Sequence, residues 1–171
     1  TQLGHDTVGC VCIDTEGNVA AGTSTGGITF KIAGRVGDSC CIGAGCYADN
    51  EKGAVSTTGH GESIAKVCLA KSCADRLNTG FGFMSTSRSP QRECQDEIDS
   101  MRLKTAGGCG GVIAVTPAGA LSHAFSTPRM CWASIEAEYA LQADGTEEKG
   151  LILKSRSGVE RGDNKEFIVK A

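Results

Sequence analysis

Aromatic side chains are scarce, 5% of 171 residues, and the Lys and Arg residues are scattered rather than gathered on one stretch. That combination lacks both the stacking platforms and the basic patches of a nucleic-acid binder. No apolar run reaches the roughly 18 residues that a membrane-crossing helix needs, and no signal-peptide pattern opens the chain. With only three prolines and no low-complexity tract, disorder is a poor description. There is no G-K-[S/T] for a P-loop and no C-x-x-C pair for a structural zinc site, although the chain holds ten cysteines.

What is present is the balance of an ordinary folded domain. Hydrophobic residues make up 40%, charged residues 22%, and the net charge is −3. The length suits one domain with a real core, and no internal boundary or repeat shows. The chain opens at Thr1 rather than Met, which reads as a processed piece or a fragment. Glycine is abundant at 24 residues, enough for many sharp turns and close backbone approaches. Most cysteines sit in apolar runs, so they are expected to be buried free thiols in a reducing compartment.

Periodicity places the elements. "TVGCVCID" alternates with period two and returns through the turn "TEGN" into "VAAGTS", a β-hairpin. Residues 25–39 read as an irregular loop, "CCIGAGCYA" (Cys40–Ala48) as a short buried strand, and "AVSTT" (Ala54–Thr58) as another strand. From Glu62 to about Leu77 the apolar spacing becomes helical. A second helix is expected to open with Ser89 as N-cap and Pro90 at its first position, burying Cys94, Ile98 and Met101. "VIAV" and "ALSHAF" form a hairpin across "TPAG", and the charged tail from Lys149 reads as an edge strand or a loose end. Hairpins, two consecutive helices, then hairpins again argue for an α+β fold of antiparallel sheet with helices layered on it.

Several familiar motifs fail on context. "GTSTG" matches the G-x-S-x-G nucleophile elbow, but no helix follows it. "GAGCYA" fits a dinucleotide fingerprint, yet "DNEKG" follows where the phosphate-binding helix should start. "HGE" lacks the P-C-x-x-C partner of the zinc deaminases. His5, His60 and His123 lie far apart, and each is by default a surface or hydrogen-bonded core residue.

The stretch "HDTVG" places Asp6 directly before Thr7 at the start of a strand. A threonine hydroxyl is a weak nucleophile that needs a base beside it, and an N-terminal threonine carries one in its own α-amine. That amine, with an unperturbed pKa of about 7.7–8.0, is usable near neutrality. Exposing it requires cutting Asp6–Thr7.

"HDTVG", "GNVAAGTSTGG", "GRVGDS", "GAGCYADN" and "AVSTTGHGES" follow one another in this order. Together they closely resemble the β-subunit of the plant-type L-asparaginase/isoaspartyl peptidases, N-terminal nucleophile hydrolases related to glycosylasparaginase. The likeness is dense over about Gly4–Leu69 and resumes at "GGVIAV" and "PRMCWAS". It implies a layered αββα fold of which this chain is the β half. Residues 1–6 would be a residual segment before the cut, and residues 7–171 the catalytic half of a single domain. It implies Thr7 as nucleophile, Thr25 as a supporting hydroxyl, Arg35 and Asp38 gripping a substrate's α-carboxylate and α-ammonium, and Thr58 with Gly59 as oxyanion hole. The chemistry would be hydrolysis of L-asparagine or β-aspartyl peptides through an aspartyl ester. No cofactor takes part in it, and a structural sodium belongs to the other subunit. The partners implied are an α-subunit from the same precursor, a second αβ unit and a small amino-acid or β-aspartyl substrate. The location would be cytoplasmic, or lysosomal for a glycosylasparaginase.

Charge alone reads Arg35 and Asp38 as a solvated ion pair, and Gly59 as a strand-to-helix turn. Phe30, in "FKI", stands where asparaginases have Asn and is closer to glycosylasparaginase. Gly26 and Glu62 lean back towards asparaginase. "GDSCC" replaces the usual "GDSP", which would loosen that loop, and the tail past Lys149 matches neither. With "TQLGHD" still attached, the Thr7 nitrogen is an amide, so the chain as it stands is an uncleaved piece. The reading from another class is an incomplete copy that serves as a binding or structural module.

Overall fold

The computed structural model describes residues 5–77, 89–141, 147–160 and 165–170. Residues 1–4 of the segment before Thr7 lie outside them. Contacts divide the chain into two compact units, Thr1–Thr127 and Pro128–Ala171, where the sequence shows no boundary. Its elements are three helices and antiparallel sheets among the described residues, a mixed α and β architecture.

In the first unit β1 (His5–Ile13) and β2 (Val19–Ile28) form the expected hairpin. A second, four-stranded antiparallel sheet runs β3 (Cys46–Asp49), β4 (Gly53–Gly59), β5 (Gly110–Val115), β6 (Leu121–Phe125). Five successive residues of β4, Gly53 to Thr57, are buried. The reason is that the strand is covered twice: β1 packs over it, with Gly9 directly against Ser56, and the helices pack beneath. A strand covered on both faces loses its period-two signature.

The helical layer is α1 (Gly61–Val67), α2 (Leu69–Leu77) and α3 (Pro90–Lys104). Ile64, Leu69, Cys73, Cys94, Ile98, Met101, Val55 and Val112 meet in one core cluster. As expected, Ser89 caps α3, its hydroxyl accepting from the Arg92 amide, with Pro90 at the first turn. Cys94, Ile98 and Met101 are its buried stripe.

Three expectations are corrected here. The helix expected from Glu62 to Leu77 is two helices broken at Cys68, whose backbone is left-handed at φ 49. The break lets α2 start afresh, and its Ala70 and Lys71 amides donate to the carbonyls of Ala44 and Gly43 at 3.3 and 2.8 Å. Helix starts carry unpaired N–H groups, and a loop supplies acceptors for two of them here. The same bonds explain why Cys40–Ala48 is not one buried strand. Its carbonyls are spent on α2 and on the Thr57 amide, which donates to Gly45 at 2.8 Å, and only β3 remains extended. Third, most of the thiols are not buried. Cys73 and Cys94 are, but Cys10, Cys12, Cys40, Cys41, Cys68 and Cys131 are exposed, all without disulfides. Cys10 and Cys12 share the outer side of β1, where apolar sequence alone promised burial.

The second unit is a three-stranded antiparallel sheet of β7 (Arg129–Leu141), β8 (Glu147–Glu160) and β9 (Lys165–Lys170). The charged tail is therefore paired strand rather than a loose end. Cross-strand ion pairs Arg129–Glu160 and Arg156–Glu136, each at 3.0 Å, explain how so polar a stretch pairs. Among the described residues no helix is long and apolar enough to cross a membrane.

Candidate active site

A cavity of about 420 Å³, lined by many polar residues, opens between the hairpin and the loop after it. Thr7, Thr25, Arg35, Asp38 and Gly59 all line it, as do Ser24, Lys31 and Cys40. Residues up to 52 positions apart converge because β1, β2, the 29–45 loop and the end of β4 meet there. Thr58 stands next to Gly59 at the end of β4 but is not among the lining residues.

Thr7 faces Thr25 directly across the hairpin. The pairing slips by one residue between His5 and Thr7: His5 opposes Ile28, whereas Thr7 opposes Thr25. The irregularity therefore falls on the Asp6–Thr7 stretch, with the extra residue on β2. Bulges of this kind re-aim side chains and interrupt a ladder. The Gly27 amide donates to the Thr25 hydroxyl oxygen at 2.9 Å, which fixes that side chain beside Thr7.

Arg35 does not form the solvated pair with Asp38 that charge alone suggested. Its Nε and Nη2 donate to the two carboxylate oxygens of Glu62 at 2.8 and 3.0 Å. This fork-to-fork geometry fixes the guanidinium plane and leaves Nη1 outside the pair, beside Gly37. The Arg35 side chain is 13% exposed and that of Glu62 47%. Arg35 holds the Glu62 carboxyl down to about 2, and His60 adds a smaller pull the same way. The Glu62 carboxylate in turn raises Arg35 further above its ordinary range.

Asp38 is buried, 6% exposed. Burial pushes its carboxyl up, opposed by the Thr57 hydroxyl, which donates at 3.4 Å, and by the charge of Arg35. Gly61 opens α1 beneath this pair. A Cβ there would lie 2.8 Å from Asp38 Oδ1 and 2.9 Å from Arg35 Nη2, so the two side chains occupy space that any other residue would take. Gly59 has φ 131, and a Cβ on it would lie 2.5 Å from the Cys109 carbonyl oxygen. Only glycine fits the turn from β4 into α1 while presenting its backbone to the cavity. His60 in that turn bonds Ser63 at 2.7 Å through Nδ1.

Of the residues expected from the sequence, Thr7, Thr25, Arg35, Asp38 and Gly59 come together at the cavity and Thr58 does not line it; two further contributors were not expected. Glu62 is one, because nothing in spacing shows that a residue 27 positions away clamps Arg35. Lys31, in the stretch expected as an irregular loop, is the other: it lines the cavity and its ammonium donates to the Gly26 carbonyl. The cavity thus gathers a cation, Arg35, a buried anion, Asp38, and the hydroxyl-bearing Thr7 and Thr25 within one set of walls.

Residues 1–143 match the family described as asparaginase. A Xenopus laevis protein named isoaspartyl peptidase/L-asparaginase is 50% identical over 135 residues, 79% of this chain and 41% of that one. Proteins of the same name from Bos taurus and Homo sapiens are 41% identical over 162 residues and 44% over 133. They are covered to 45% and 41% of their lengths, so the chain spans less than half the length of these relatives.

Proposed function

The chain belongs to the asparaginase family, and from that premise we propose that it is the part carrying the nucleophile of an amidohydrolase acting on L-asparagine or β-aspartyl peptides. The observation that carries this reading is the cross-strand pair Thr7–Thr25, set in the same cavity as Arg35, Asp38 and Gly59. The named activity of the relatives supports it, as does the slip in pairing at the proposed cut.

In the first step the Thr7 hydroxyl attacks the Asp6 carbonyl carbon. The C–N bond breaks as the ester forms, the nitrogen takes the hydroxyl proton, and water then cleaves the ester. The freed α-amine becomes the base that withdraws the hydroxyl proton in each later turnover. The hydroxyl attacks the side-chain carbonyl of the substrate, and ammonia or an amine leaves with a proton. Water hydrolyses the aspartyl ester. Arg35 takes the α-carboxylate and Asp38 the α-ammonium. The Gly59 amide, joined by the neighbouring Thr58 hydroxyl, would meet the oxyanion.

The same proposal includes pairing with an α-subunit from one precursor, which completes a layered αββα fold, and a dimer of αβ units. Large apolar side chains around the site support a covering partner: Val8, Phe30, Ile32, Val36 and Ile42 are 65–91% exposed. Phe30, beside Lys31 of the cavity, favours glycosylated asparagine as a second substrate reading.

The test is expression of the whole natural coding region with wild-type Thr7, Thr7→Ser and Thr7→Ala. Intact mass and N-terminal sequencing should show a chain that starts at Thr7 in the wild type. Thr7→Ser should still be cut, and Thr7→Ala should stay uncut with hydrolysis down by more than about a thousandfold. Assays on β-aspartyl dipeptide, asparagine and glycosylated asparagine then separate the substrates. A wild-type chain that stays uncut and inactive would leave the binding-module reading in its place.

A further inference from the structure

At the rim of the cavity the loop carries two adjacent thiols on one side. Residues 38–41 form a turn closed by the Cys41 amide, which donates to the Asp38 carbonyl at 2.8 Å. The Cys40 and Cys41 thiols then both donate to the same acceptor, the Gly37 carbonyl, with sulfur–oxygen distances of 3.5 and 3.7 Å. In a strand, neighbours point to opposite faces, so only the turn brings these two together. Both are exposed, and Cys40 lines the cavity itself. The Cys41 thiol is pushed up above its ordinary value, first by its neighbour Cys40. Cys40 stands where the "GDSP" pattern has a proline, so the pair is a property of this chain rather than of that pattern.

The chemistry of two convergent thiols selects the ligand. No group of three or more His, Cys, Asp or Glu among the described residues is placed to hold a metal ion. A ligand for this pair must therefore be satisfied by two sulfurs. We propose that Cys40 and Cys41 form a two-thiol ligation site for a trivalent organoarsenical at the rim of the cavity. The step balances without an oxidant. Two S–H bonds and the arsenic–oxygen bond break, two S–As bonds form, the oxygen leaves with both protons as water, and arsenic stays trivalent. The site stands independently of the hydrolytic reading, because it needs only the loop geometry.

Phenylarsine oxide is the probe, used on the whole 171-residue chain under reducing conditions that are removed before mixing. At one equivalent, intact mass should show one phenylarsenic adduct, and thiol titration should show two of the ten free cysteines lost. Peptide mapping should place the adduct on Cys40 and Cys41. Cys40→Pro, which restores the residue of the pattern, and Cys41→Ser should each weaken binding at least about a hundredfold, the loss expected when a two-point attachment becomes one. Cys10→Ser and Cys68→Ser should bind as the wild type does. Circular dichroism of each variant checks that the fold is kept, and Cys40→Ser serves if Cys40→Pro does not fold. Adducts that persist in both Cys40 variants, or that map to Cys10 and Cys12, would overturn the assignment.

Discussion

Phe30 occupies a backbone position that its side chain resists. Its φ is 58, and 90% of it is exposed, so no packing compensates the strain. A left-handed conformation costs an L-residue about 1–2 kcal/mol, and Asn tolerates it better than most. Phe30→Asn is therefore expected to raise stability by about 1 kcal/mol, read as a higher denaturation midpoint at unchanged slope. Glu62 makes a prediction of another kind. Its carboxyl is held at about 2 by Arg35, below its unfolded value. The stability it contributes is present above about pH 4.5 and is lost as pH falls through 2. Asp38 runs the other way, because its raised carboxyl favours the fold at low pH and loses that contribution as pH rises through its folded value. In Glu62→Gln the acid limb should flatten, so that its stability approaches that of the wild type as pH drops from 4.5 to 2. Denaturant midpoints of both proteins across pH 2–6 check this, and a gap that does not change with pH would contradict it. At this scale much was legible. Thr7 and Thr25 sit in short local motifs, and the two meet in the cavity. The Arg35–Glu62 clamp was not legible, because it depends on how a loop folds back over a helix start.

Among the elements, α3 was the most readable because its signals are local. Ser89 caps it, Pro90 fits the first turn, and the stripe Cys94, Ile98, Met101 repeats at helical spacing. The cap hydroxyl accepts the Arg92 amide at 3.3 Å, and loss of such a cap costs about 1 kcal/mol. Ser89→Ala is expected to lower stability by that amount and Ser89→Asp to restore it, measured by urea denaturation. The α1–α2 break was unreadable for the opposite reason. Nothing in "SIAKVCLAKS" stops a helix, and Cys68 adopts φ 49 because Gly43 and Ala44 present carbonyls to a new helix start. A tertiary contact thus overrides a continuous local pattern, and it does so again in Cys40–Ala48, where apolar sequence is turned into capping loop. β4 is the strand expected over Ala54–Thr58, and it shows no period-two burial because it is covered on both faces.

For the molecule as a whole, the unbalanced feature is where apolar surface lies. Among the described residues eight large apolar side chains are exposed, and five of them fall between Val8 and Ile42, on the segments that build the cavity. Burying one such side chain is worth about 1.5–3 kcal/mol, and exposed patches of that kind mark interaction sites or aggregation hazards. Sequence composition could not show this imbalance, since 40% hydrophobic residues is ordinary and only the fold decides which of them are covered. The chain by itself is therefore expected to associate reversibly as its concentration rises. Ile32→Lys with Ile42→Lys, both at positions at least 80% exposed, should suppress that association without lowering the denaturation midpoint. Light scattering against concentration reads the first effect, and urea denaturation the second. When the whole coding region is expressed, the covering-partner proposal requires the wild-type product to stay discrete at the concentrations where this chain alone associates. In that product the same two lysines should cost affinity between the halves, so that subunits separate on dilution. If the double variant associates as readily as the wild type, the surface around Ile32 and Ile42 is not the adhesive one, and the proposed partner must be sought on another face.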